Sequence, residues 1–122
     1  MKSTNCNREV PKFSFDGQQM LGKCVYVVDG DTIDVSVKIP ITNKYNVLRL
    51  RILGINTPEV RGASKEDGLV SKKFVEDLIL HKMVAIECGK FDNFGRVLAN
   101  VFILNNLATI LLENNLAIPF MV

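Results

Sequence analysis

Short apolar runs at strand-like spacing begin at Leu21. Leu21 to Val28 is rich in Val and Tyr, and Thr32 to Ile39 alternates without a break. Ile33, Val35, Val37 and Ile39 share one face, with Asp34, Ser36 and Lys38 on the other, the period of a half-buried strand. Asp29-Gly30 between the runs suits a tight hairpin turn with positive φ. Pro40 closes the second run, and Asn43-Lys44 turns the chain into a third, Val47 to Ile55, ended by Pro58. In that run Leu48, Leu50 and Ile52 alternate with Arg49 and Arg51, so one face is apolar and the other cationic.

After a polar stretch, Glu59 to Gly68, the period changes. Val70, Phe74, Val75, Leu78 and Ile79 recur at three- and four-residue steps, which predicts a helix over Leu69 to Leu80. Ser64 to Asp67 ahead of it has the spacing of a capping box. Met83 to Cys88 and Val97 to Leu104 read as two further strands joined by the turn-rich GKFDNFG. A short helix, Leu107 to Asn114, follows, with Asn115 suited to a left-handed cap. The order β-β-β-α-β-β-α predicts a β-barrel with helices: a small five-stranded barrel of the oligonucleotide/oligosaccharide-binding (OB) kind. Residues 1–18 are polar, lack a sustained period and read as a flexible N-terminal arm, which leaves 19–122 as the barrel domain.

Composition narrows the class without naming an activity. At 122 residues, 48% hydrophobic and 23% charged, the chain fits one globular domain. Fifteen basic and 13 acidic side chains leave a net charge of only +2, so contact with nucleic acid has to come from a local patch. No apolar run approaches the roughly 20 residues that span a bilayer, and no membrane association is expected. The opening MKSTNCNREVPKFSFDG holds no continuous apolar segment, so no secretory leader is visible and an intracellular setting is expected. Cys6, Cys24 and Cys88 fit neither a disulfide framework nor a zinc site; Cys24 and Cys88 are expected as buried thiols. His81, the single histidine, follows the helix and is expected at the surface, as are Lys65, Lys72, Lys73 and Lys90.

Three segments carry polar groups that propensity does not require. VVDGDTIDV, residues 27–35, places Asp31 at the barrel rim, where a carboxylate can face a cation. RLRILGINTPE, residues 49–59, sets Asn56, Thr57 and Glu59 just after Arg51, which combines oxygen donors for a hard divalent ion with a cation for an anionic substrate. FDNFGR, residues 91–96, has Asp92 and Asn93 shaping a turn, Gly95 permitting a sharp bend and Arg96 entering the next strand.

Together and in this order, the DGDT turn, the RILGINTPE stretch and the DNFGR turn resemble the staphylococcal nuclease (thermonuclease) family, and the resemblance spans roughly residues 21–118. It implies the same five-stranded barrel and a calcium-dependent hydrolase that cleaves phosphodiester bonds in DNA and RNA with low sequence specificity, leaving a 3′-phosphate. By that resemblance Asp31, Asn56 and Thr57 occupy calcium-ligand positions, Thr57 through its backbone carbonyl. Arg51 and Arg96 match the arginines that grip the scissile phosphate, and Glu59 matches the general base for the attacking water. Two guanidiniums and a divalent ion around a phosphoryl group favour its five-coordinate state over the ground state. Asn93 and Phe94 stand where the best-known member has Lys-Tyr near a terminal phosphate of bound nucleotide; Phe94 keeps the ring and lacks the hydroxyl.

The chain departs from the pattern in three further ways. Asn56 replaces a calcium-binding aspartate and removes one negative charge, which predicts weaker calcium binding. The segment between Glu59 and the helix is shorter, and the sequence stops at AIPFMV, where that member continues into a third helix. Asn56 and the shortened end leave a second reading: a weak or inactive nuclease-like domain that binds nucleic acid or protein. A monomer is expected.

Overall fold

The computed structural model describes residues 6–103 and 106–120. Five strands close a barrel in the order β1-β2-β3-β6-β5: β1 is Gln19–Asp29, β2 Thr32–Ile39, β3 Lys44–Ile52, β5 Met83–Phe91 and β6 Val97–Phe102. Neighbours run antiparallel except β3 and β6, whose parallel pairing of Leu50 with Val97 and Ile52 with Ala99 shuts the barrel. The inward residues are those the alternation marks. Ile33, Val35, Val37, Leu50 and Ile52 are fully buried, joined by Val75 and Ile79 of α1 (Lys65–Ile79) and Leu107 and Leu111 of α2 (Leu107–Glu113). Cys24 and Cys88 lie in this core as free thiols, and burial pushes the Cys24 thiol up to about 11. His81 is exposed at a left-handed φ of 65° just after α1.

Several local expectations change. The third strand ends at Ile52 rather than Ile55, because Gly54 takes a positive φ of 81° and turns the chain back. Ile55–Asn56 then forms a separate short strand, β4, antiparallel to β7 (Ile118–Pro119), and the Phe120 N–H donates to the Gly54 carbonyl at 3.0 Å. Residues at the apolar C-terminal end thus cover the bend after β3.

The helix begins at Lys65, four residues before Leu69, and Ser64 makes no side-chain cap; its hydroxyl donates at 3.4 Å to the Glu59 carbonyl. A short 3-10 turn, Gly62–Ser64, leads into it and helps replace the expected capping box. At the hairpin between β1 and β2, Gly30 is not among the positive-φ residues. It is required there for closeness, since a Cβ would lie 2.9 Å from Thr57 Cγ2 and 2.9 Å from Ser71 Cβ.

The N-terminal segment is tied to the barrel at its inner end. Phe15 is buried against Phe91, with ring centroids 5.7 Å apart, and the Gly17 N–H donates to the Cys88 carbonyl at 2.8 Å. β6 ends at Phe102, and the predicted strand end at Leu104 lies outside the described residues. The second helix is capped at both ends. Asn106 Oδ1 accepts the Ala108 N–H at 2.8 Å, and Asn115, at φ 57°, lets its own N–H and that of Leu116 reach the carbonyls of Leu112 and Leu111.

Candidate active site

Arg51 is the residue through which the site is assembled. It stands on the outward face of β3, and the turn at Gly54 folds the following residues back beneath its guanidinium. Nη1 donates to the carbonyls of Ile52 at 2.8 Å and Ile55 at 2.9 Å, while Nη2 donates to Asn56 Oδ1 at 3.1 Å. The same Nη2 lies 3.4 Å from Asp31 Oδ2. With its side chain only 12% exposed, Arg51 is held by the protein before any ligand arrives.

Asp31 reaches this group from the β1–β2 hairpin. Its Oδ2 accepts the Thr57 N–H at 2.9 Å and its Oδ1 the Thr32 hydroxyl at 3.0 Å. Burial pushes the Asp31 carboxyl up, but hydrogen bonds from Asp29 and Thr57 and the Arg51 charge outweigh it and hold the group below the usual carboxylate range. The neighbouring Asp29 goes the other way: burial and the Asp31 carboxylate raise it to about 6. Two adjacent carboxylates disfavour each other's ionisation, and the Arg51 cation stands on the Asp31 side.

Asp29 Oδ1 and Thr57 Oγ1 are buried and have no hydrogen-bond partner. Gly30, lacking a Cβ, lets Thr57 pack against the hairpin that carries both aspartates. The Asp29 and Asp31 carboxylates and the Thr57 hydroxyl therefore lie on one hairpin contact with two oxygens unused, and Arg51 links them to the Asn56 amide oxygen, a donor set that suits a hard divalent cation. Among the described residues, no three His, Cys, Asp or Glu side chains come together. Asp29 was not foreseen from the sequence; its signal was the paired carboxylates of DGD.

Arg96 is positioned by its own turn. Asp92 Oδ1 accepts the N–H groups of Phe94 at 2.8 Å and Arg96 at 2.9 Å, and its Oδ2 accepts Arg96 Nε at 2.6 Å. Gly95, at φ 81°, supplies the bend. Burial raises the Asp92 carboxyl, yet these N–H donors and the guanidinium outweigh it and keep the group below its ordinary value. The Arg96 guanidinium lies 5.4 Å from the centre of the Phe94 ring, which is 83% exposed.

Arg51, Arg96, Asn93 and Phe94 line one cleft of about 430 Å³, walled also by Leu98, Asp92 and Phe120. The Phe120 ring lies 6.0 Å from the Arg51 guanidinium, a wall residue absent from the sequence-based set. Asn56 and Thr57 line a different hollow of about 400 Å³ beside Ser71 and Leu116. The expected cation ligands and phosphate grips are thus joined through Arg51 rather than gathered in one cavity. Glu59 is exposed and lines neither hollow. Its backbone packs tightly against α1 at Gly68, where a Cβ would overlap the Glu59 carbonyl.

A family model described as "Staphylococcal nuclease homologue" matches residues 49–121, which include Arg51, Asn56, Thr57, Glu59 and Arg96. An uncharacterized protein of Methanocaldococcus jannaschii, MJ1439, is 33% identical, with 70% of this chain and 49% of the relative covered. The Escherichia coli protein ParB is 30% identical over 75% of this chain and 46% of its own length. A protein of E. coli named an uncharacterized endonuclease is 32% identical, covering 66% of this chain and 47% of the relative. The chain spans about half the length of each of these relatives. A barrel of this topology, a match over more than half its residues and relatives named endonuclease lead to one statement of kinship: the chain belongs to the staphylococcal nuclease homologue family.

Proposed function

We propose that this protein is a calcium-dependent nuclease that hydrolyses phosphodiester bonds of DNA and RNA with little regard for sequence. The observation that carries the reading is the shared cleft: Arg51 and Arg96 open onto the same space, and Arg51 is bonded at its back to the group containing Asp31 and Asn56. Both guanidiniums are held by carboxylates, so little side-chain freedom is lost when a phosphate binds between them. Base edges are not needed to fill such a site, which accounts for low sequence specificity.

Asp31, Asn56 and Thr57 would hold the calcium ion, with Asp29 beside them. Bound there, the ion supplies positive charge to the phosphoryl oxygens and to the attacking water. Glu59 accepts the proton of that water. Arg51 and Arg96 orient the phosphate and stabilise the charge that accumulates on its oxygens. Exposure of Phe94 and Phe120 on the cleft walls gives the flanking sugar and base an apolar surface.

Incubation with plasmid and single-stranded DNA, in calcium and then in chelator, tests the reading. Cleavage is expected in calcium alone. Arg51→Ala or Arg96→Ala should each lower the rate by about 100- to 1,000-fold, the typical loss of one preorganised donor. Glu59→Ala should abolish it. Cleavage that survives both chelator and the Glu59 change would overturn the assignment.

A second reading rests on Asn56 and on the exposed position of Glu59, outside the cleft lining. In it the domain binds nucleic acid and cleaves nothing. Binding that depends on Arg51 and Arg96, with no cleavage in any divalent ion, would favour it.

A further inference from the structure

Beside the main cleft runs a second groove of about 300 Å³, lined by Arg49, Phe94 and Arg96. Phe94 and Arg96 border both spaces, so the groove continues the cleft along the outer face of β3. Arg49 and Arg51 are two residues apart on that face, about 7 Å along the strand. This separation is close to the distance between successive phosphates of an extended single strand.

Arg49 is also built to stay in place. It stands directly across from Asp34 in the β2–β3 register, and Nε and Nη2 donate to the two carboxylate oxygens at 2.8 and 3.0 Å. At 50% side-chain exposure this pair contributes little to stability, whereas its two-point geometry fixes the guanidinium plane. Nη1 makes no hydrogen bond among the described residues and is left for an outside acceptor.

From these placements we infer that Arg49 is a second phosphate subsite, which holds the backbone of a polynucleotide one nucleotide away from the phosphate bound by Arg51 and Arg96. The intervening base lies on the exposed Phe94 ring. Cationic grooves that track the backbone while aromatic rings carry the bases bind single strands without sequence preference. Arg49 therefore sets preference for length: a polymer reaches it and a substrate with one phosphodiester does not. This inference rests on the nuclease reading of the central cleft.

The experiment measures affinity in chelator, where cleavage is suppressed, by fluorescence anisotropy with a labelled single-stranded decamer and a labelled dinucleotide. Arg49→Gln should weaken decamer binding roughly three- to tenfold and leave the dinucleotide unchanged. The slope of log affinity against log salt should fall by about 0.7, the share of one phosphate contact on a single strand. Arg49→Lys, which keeps the charge without the two-point clamp, should recover the salt slope.

Unchanged decamer affinity and salt slope in Arg49→Gln would overturn the subsite. Equal weakening of decamer and dinucleotide would overturn it too, since Arg49 would then act on the central phosphate or on the fold. Failure of the underlying reading looks different. There, Arg51→Ala binds both ligands as the parent does, or the parent in calcium fails to cleave.

Discussion

At Asn56 a neutral amide shares Arg51 Nη2 with the Asp31 carboxylate, so the cluster has one negative charge fewer than an aspartate would provide. Asn56→Asp should tighten calcium binding on the order of tenfold, because charge on the ligand set acts at close range on a divalent ion. Calorimetric titration of calcium into both proteins reads this directly, and equal affinities would show that Asn56 is not a ligand. Gly30 matters for a different reason, closeness. A Cβ there meets Thr57 and Ser71 at 2.9 Å, and both belong to packed elements. Gly30→Ala should cost about 1–3 kcal/mol, the usual range for overpacking, and pull the Thr57 N–H away from Asp31. Urea denaturation gives the first effect, and cleavage per folded molecule the second.

Among the elements, the turn from Asp92 to Arg96 shows how one carboxylate orders a loop. Its side chain accepts two backbone N–H groups and one guanidinium nitrogen, and the Asp92 N–H donates back to the Arg96 carbonyl at 2.8 Å. An acid held below its ordinary value in the folded state stabilises that state above the unfolded pKa and loses the contribution as pH falls through the folded one. Asp92→Asn keeps an acceptor for the two N–H groups but turns an amide towards Arg96 Nε. The variant should melt below the parent at pH 7, and the gap should close as pH drops below about 4. Thermal melts from pH 7 to 3 measure it, and a constant gap would mean that the ion pair is not what orders the turn.

The same turn shows what could be read from sequence. FDNFGR announced a bend at Gly95 and an emergent Arg96, because Asp, Asn and Gly have local conformational preferences. RILGINTPE was harder: the alternation of Leu50 and Ile52 slips by one residue at Leu53 and Ile55, and the slip alone does not say that Gly54 reverses the chain. The capping box misled likewise, since Ser64 is drawn to the Glu59 carbonyl and Gly68 is needed for the close approach of that segment. Pattern marks which residues are apolar. It does not mark which backbone positions another segment must touch.

Across the whole molecule, the residues of the cleft meet only because the barrel closes. Arg51 and Arg96 are 45 positions apart, and they come together through the parallel pairing of β3 with β6. Alternation identified the inward residues of β2 and β3, but this non-local, parallel register had no signature in either strand alone. Leu50 is the point where closure is most exposed to damage. It is fully buried, pairs with Ile33 on one side and Val97 on the other, and lies between Arg49 and Arg51. Leu50→Ala should cost about 2–5 kcal/mol, through lost transfer energy and the cavity left behind. Against a total of about 5–15 kcal/mol for a domain, that is a large share. Affinity for the decamer should then fall with the folded fraction in urea and return to the parent value where the variant is fully folded, because no cleft atom has been removed. If the folded variant still bound the decamer more weakly, the β3–β6 register itself would be what sets the spacing of the guanidiniums, and repacking behind Leu50 would have shifted it.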